Sequence, residues 1–98
     1  MKEKKLRIAV IEIKLYAPWV HSLKEKRMEV KSLIAKIRNK FNVSVAEANE
    51  QDTHQTIVIG IAAIAANSAQ GDSIIDNIIS FVESNTDAQV AAIERRYV

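Results

Sequence analysis

Residues Gln55 to Ala65 read Gln-Thr-Ile-Val-Ile-Gly-Ile-Ala-Ala-Ile-Ala, and this stretch decides the fold. Its β-branched content makes it a strand, and a strand sends alternate side chains to opposite faces. Ile57, Ile59 and Ile61 point one way while Val58, Ala62 and Ile64 point the other, so both faces are apolar. A strand that is apolar on both sides belongs in the middle of a sheet. Gly60 inside it suggests a close approach of backbone or helix at that point.

Working outward, Val43 to Asn49 reads as a strand, and the polar run Glu50-Gln51-Asp52-Thr53 turns it into the central one as a hairpin. Upstream, Leu6 to Tyr16 alternates as a further strand and ends at Ala17-Pro18, where proline removes a donor and holds its predecessor extended. Ser22-Leu23-Lys24-Glu25 is a capping box: the Ser22 oxygen accepts an early helical amide, and Glu25 reaches back toward the Ser22 amide. From there Val30, Leu33, Ile34, Ile37 and Phe41 recur at helical spacing and give one buried stripe. Downstream, Asn67 to Gly71 supplies loop and cap chemistry before a second helix that buries Ile74, Ile75, Ile78, Phe81 and Val82. Ser84-Asn85-Thr86-Asp87 ends that helix, and Gln89 to Tyr97 is the last strand. The order β-α-β-β-α-β is the split, ferredoxin-like α+β arrangement. Right-handed crossovers then order the strands 4-1-3-2 with both helices on one face, a single domain over residues 1–98.

Composition agrees with one ordinary core. The chain has 98 residues, 48% of them hydrophobic, with two Gly and one Pro, which excludes disordered and collagenous classes. The lack of cysteine excludes disulfides, thiolate metal sites and a Cys nucleophile, and is compatible with a reducing cytoplasm. The longest nearly uncharged stretch, Thr56 to Ala69, is too short to span a bilayer, and no signal peptide is evident, so a cytoplasmic protein with no membrane partner is expected.

Helices cover only one side of such a sheet. Ile8, Val10, Val58, Ala62 and Ile64 fall on the other, and an apolar patch of that kind is expected to be covered by a second copy of the chain, making a homodimer. The competing reading is that the small alanines make an open face tolerable in water.

Charge is unevenly placed. Residues 1–41 hold 12 Lys/Arg against 4 Asp/Glu, a net +8, whereas residues 42–98 hold 2 against 8, a net −6. At 100° per residue Lys24, Arg27, Lys31 and Arg38 share one narrow band beside the apolar stripe of the first helix, with no acid in it. Asp72, Asp76 and Glu83 form an acidic band on the matching flank of the second helix. The crossover geometry turns the two flanks away from each other, so a dipolar domain is expected, positive beside the second strand and negative beside the fourth. The positive band suits a run of phosphates, as on nucleic acid, and competes with the plain reading of a solvated helix.

Other chemistry finds little support. The first and third strands offer no aromatic for base stacking apart from the terminal Tyr16, and with glycine only at Gly60 and Gly71 there is no nucleotide-cradling loop. Glu47, Glu50, Asp52 and His54 around the hairpin are a weak metal set, since their spacing wanders across both faces and a turn. No cofactor is implied. His21 stands beside the helix cap without an adjacent nucleophile, and Trp19 is expected to close one end of the core.

Three segments carry a resemblance. Ser22-Leu23-Lys24-Glu25-Lys26-Arg27, then Phe41-Asn42-Val43-Ser44-Val45-Ala46-Glu47, then Asp52-Thr53-His54-Gln55 with Gly60, resemble the YlxP-like family of small bacterial proteins of unknown function. The resemblance implies a ferredoxin-like fold and a gene neighbourhood among translation-initiation and ribosome-maturation factors, and implies no activity. It directs attention to Lys24, Glu25, Lys26 and Arg27, adding Lys26 to the candidate phosphate contacts. The combined expectation is a non-enzymatic cytoplasmic homodimer whose first helix meets ribosomal RNA or a ribosome-associated protein. Two other classes stay open: an enzyme or metal-dependent module built on Glu47, Asp52 and His54, and a regulatory domain taking a small ligand between subunits, as such folds do by analogy.

Overall fold

The computed structural model describes residues 6–49 and 53–98. The elements follow the expected order: β1 (Arg7–Tyr16), α1 (Leu23–Lys40), β2 (Ser44–Glu47), β3 (Thr56–Ala65), α2 (Ser68–Asn85) and β4 (Gln89–Tyr97). The four strands form one antiparallel sheet in the order β2-β3-β1-β4, which is the expected order read from its other edge. In register, Ile11 faces Ile61 and Ile13 faces Ile59, so the central pair stacks aliphatic side chains row by row.

Alternation sorts the core. Ala9, Ile11, Ile13 and Leu15 of β1 and Ile57, Ile59 and Ile61 of β3 are buried under Val30, Leu33 and Ile37 of α1 and Ile75, Ile78 and Val82 of α2. Phe41 and Phe81 meet edge to face, their centroids 5.4 Å apart, and close the core between the helices. Trp19 does not close its end as expected: it is exposed, whereas Ala17 and Val20 on either side of the Pro18-Trp19 turn are fully buried. Small side chains fill that corner, and the indole is left outside.

Both helices start at built caps. The Ser22 hydroxyl accepts the Glu25 amide at 3.1 Å. In α2 the Asn67 side chain accepts the Gln70 amide at 2.8 Å while Gln70 reaches back to accept the Ala66 amide at 2.6 Å. The second cap therefore starts α2 at Ser68, and Gly71, expected in the loop, sits inside the helix.

The glycines exchange the roles expected of them. A Cβ on Gly60 would meet Ala48 Cβ at 3.8 Å, an ordinary contact, so no close approach requires glycine there. A Cβ on Gly71 would lie 2.5 Å from the Tyr97 hydroxyl and 2.7 Å from its ring. The Tyr97 ring rests directly on the first turn of α2. The single proton of its hydroxyl is shared between two acceptors, Asp72 Oδ1 at 2.5 Å and the Ser68 carbonyl at 2.9 Å, and the Arg7 guanidinium lies 4.9 Å from the ring centroid. The hydrogen bond to the Asp72 carboxylate, with lesser help from desolvation and the nearby charge of Asp72, raises the Tyr97 pKa above its ordinary value of 10.0.

In β4 the register shifts between Lys14 and Leu15, where Ala92 faces Lys14 but Val90 faces Leu15. This bulge absorbs one residue and returns Val90 to the helix side, where it packs against the core.

Candidate anion-binding groove

Helix α1 lies beside the edge strand β2, and between them runs a groove of about 520 Å³ lined by Arg27, Lys31 and Arg38 over an apolar floor that includes Val30, Ile34 and Val45. Three of the four cations expected to share a band thus converge on one concave surface, and Lys24 is exposed one helical turn before Arg27. The band does turn outward, to the side of β2. Arg38 is the most fixed of the set, since its Nη2 donates to the Val45 carbonyl at 3.2 Å. That bond also covers a carbonyl on the exposed edge of β2.

Lys26 is a correction to the expected contact set. It is 1% exposed, the one charged residue in the buried core among the described residues, with its Nζ donating to the Thr53 carbonyl at 2.8 Å. Oε2 of Glu47 lies 3.0 Å from the same Nζ, close enough for a charge pair but without hydrogen-bond geometry. Lys26 therefore joins the start of α1 to the end of β2 and to the β2–β3 connection, and cannot reach a phosphate outside. Two signals in the chain point to this. Lys26 precedes Val30, Leu33 and Ile37 at the helical spacing of the buried stripe, and Glu47 shares the inward parity of Val45 in β2.

Pairing Glu47 with Lys26 has an electrostatic consequence for the groove. Among the described residues Glu47 is the only acid on its lining, and its charge is offset from within by Lys26, beside Arg27, Lys31 and Arg38. The opposite flank is less negative than expected. Arg95 of β4 lies 2.9 Å from Asp76 and 3.7 Å from Asp72, which neutralises part of the acidic band of α2. The two bands do not meet in any of the ion pairs of the described residues.

Glu47 is engaged by Lys26, His54 is exposed in the turn before β3, and Asp52 and Glu50 lie outside the described residues. Among the described residues there is no group of three or more His, Asp or Glu placed to hold a metal ion. His21 is exposed. No helix of the described residues is long and apolar enough to cross a membrane.

On the open face of the sheet, four of the five residues expected to cover a dimer contact are available to a partner. Ile8 and Ile64 are 40% and 67% exposed and face each other across β1 and β3, with Val10 and Ala62 half-buried in the next row. Val58 is the exception, being buried at 7% within one chain. Nor is the face apolar throughout. Glu12 occupies its centre and pairs with Arg96 at 3.1 Å.

Fold and groove together define a small ferredoxin-like α+β sandwich with a basic channel along its first helix. The chain belongs to a protein family of unknown function, DUF503, whose model matches residues 8–95. It is similar to the uncharacterized protein YlxP of Bacillus subtilis (strain 168), 40% identical over 63 residues that cover 64% of this chain and 68% of the relative. Among solved structures, the de novo designed protein Foldit4 superposes with a TM-score of 0.53 at 11% identity, covering 96% of this chain and 97% of the other, a likeness of fold alone.

Proposed function

We propose that this protein is a non-enzymatic, cytoplasmic homodimer that holds RNA phosphates, those of ribosomal RNA in particular, in the groove between α1 and β2. The observation that carries this reading is the convergence of Arg27, Lys31 and Arg38 on one concave surface whose only acid among the described residues is already paired. Guanidinium and ammonium groups spaced along a helix flank match a phosphate backbone, and phosphate contacts position a nucleic acid without reading its sequence. Among the described residues no aromatic side chain lines the groove to stack a base, so recognition is of backbone rather than of base identity.

The test reverses charge where no structural bond is lost. Arg27→Glu combined with Lys31→Glu leaves the Arg38–Val45 and Lys26–Glu47 links in place, so the fold is expected to survive, with an unchanged far-ultraviolet circular dichroism spectrum. Co-sedimentation with ribosomal particles in low salt is expected to fall at least tenfold. Equal sedimentation of the variant and the unaltered protein would reject the groove as the binding surface.

A further inference from the structure

The open face of the sheet is built in two halves of different relief. Between Val58 and Ile64 of β3 it presents Ser44, Ala46, Gly60 and Ala62, with Ala48 just past β2, all small, which leave a shallow trough of about 370 Å³. On β1 and β4 the larger Val10, Glu12 and Arg96 rise beside the trough as a ridge, and past them a second hollow of about 360 Å³ opens among Glu12, Lys14, Val58, Ala92 and Glu94. At one end of the face Leu6, Ile8, Ile64 and Val98 stand 71%, 40%, 67% and 69% exposed. Val98 and Ile8 exchange backbone hydrogen bonds, and Ile8 faces Ile64, so these three residues form one apolar row across three strands.

We infer that this face is a self-complementary docking surface whose occupant is a second copy of the chain, set ridge into trough about a two-fold axis running along the strands between β1 and β3. This rests on the homodimer reading above and specifies where and how the two chains meet. Rotation about that axis lays β1 on β3 of the second copy and β4 on its β2. Val10 then lies over Ala62 of the other chain, Glu12 over its Gly60, Arg96 over its Ser44, and Ile8 over its Ile64. In each of the first three pairs a large side chain meets a small one, and in the last two exposed aliphatic side chains cover each other.

Charge and area favour the same occupant. The described charges on the face, Glu12, Lys14, Glu94 and Arg96, are two acids and two bases, with Glu12 and Arg96 already paired. A balanced face draws neither a polyanion nor a polycation, and a two-fold contact requires a surface that does not repel itself. Two ten-residue strands and a nine-residue strand, with the short β2 beside them, give a face on the order of 550 Å² in projection at ~3.4 Å per residue and ~4.8 Å between strands. With side-chain relief this approaches the ~800 Å² per partner of a stable interface only when the whole face is used. The charged centre is therefore included in the contact, and Glu12 enters it with its Arg96 partner.

Gly60 supplies the decisive test, because a side chain there has room within one chain but none beneath a second. Sedimentation equilibrium of the full chain is expected to give twice the mass of 11.0 kDa. Gly60→Thr is expected to keep the fold and raise the dimer dissociation constant at least tenfold, and Ala62→Arg, which fills the trough with a charge, at least a hundredfold. A single-chain mass for the unaltered protein at about 100 μM would overturn both the homodimer and this face. A dimer unmoved by either substitution would overturn this face and leave the homodimer standing. A single chain that instead sediments with vesicles of phosphatidylglycerol would overturn the second copy in favour of a lipid surface.

Discussion

Lys26 shows how a charged residue can belong to a core while its neighbours in sequence disguise it. A buried ammonium loses its hydration and is tolerable only where carboxylate and carbonyl oxygens replace water. Glu47 and the Thr53 carbonyl do so here. Removing one partner of such a pair costs more than removing both, since a lone charge is left without compensation. Glu47→Gln is therefore expected to lower the unfolding free energy by about 3 kcal/mol, the low end for breaking a buried pair because Glu47 keeps some access to water. Lys26→Met with Glu47→Leu should recover most of that loss. Urea titration of the three proteins checks the order, and a double variant less stable than Glu47→Gln would show that the pair contributes more than its own desolvation. In the sequence, Lys26 lies beside Lys24 and Arg27 and looks like part of the same basic run. Its place one turn before Val30 in the buried stripe, and the inward parity of its partner Glu47 in the next element, β2, mark the difference.

At the scale of elements, the strands and the first helix were readable to within two residues because their determinants are local, whereas α2 starts four residues before the expected point. Ser22 and Glu25 announce the start of α1, Pro18 the end of the first strand, and alternation the face of β3. What was not readable depended on contacts between elements distant in sequence. The choice between Gly60 and Gly71 as the tightly packed glycine is one such case, decided by the ring of Tyr97 at the far end of β4. The bulge that returns Val90 to the core is another. The latch between α2 and β4 gives a prediction with opposite signs in two backgrounds. Gly71→Ala in the intact chain displaces a ring held by a hydroxyl proton shared between Asp72 and the Ser68 carbonyl and by a stacked guanidinium, so it is expected to destabilise. In a Tyr97→Ala background the obstruction is gone, and the same change should stabilise by up to about 1 kcal/mol, the gain from replacing glycine by alanine in a helix. Thermal unfolding of the four proteins closes the cycle; effects of the same sign in both backgrounds would mean that the ring does not hold the position.

For the whole molecule, the chain-wide charge asymmetry is only partly a surface property. Lys26 and Glu47 are paired within, and Arg95 offsets Asp72 and Asp76 on the flank of α2, so among the described residues the cations open to solvent along the groove narrow to Lys24, Arg27, Lys31 and Arg38. That narrowing sets a number. Four cations on single-stranded RNA displace counterions with a slope near −0.7 each, so log affinity against log salt should fall with a slope of about −3, a loss of about fiftyfold between 50 and 200 mM. Pairing the open faces ridge into trough would leave each groove on the outer, helical side of its own chain, with the two β2 edges on opposite sides of the dimer. One RNA segment then meets one groove, and the slope should stay near −3 per chain rather than doubling on dimerisation. Fluorescence anisotropy of a labelled oligouridylate titrated at several potassium chloride concentrations measures both the slope and the number of oligomers bound per chain. A slope near zero would remove the phosphates from the groove. A slope near −6 with one oligomer per two chains would place both grooves on a single strand, an arrangement that ridge-into-trough pairing forbids.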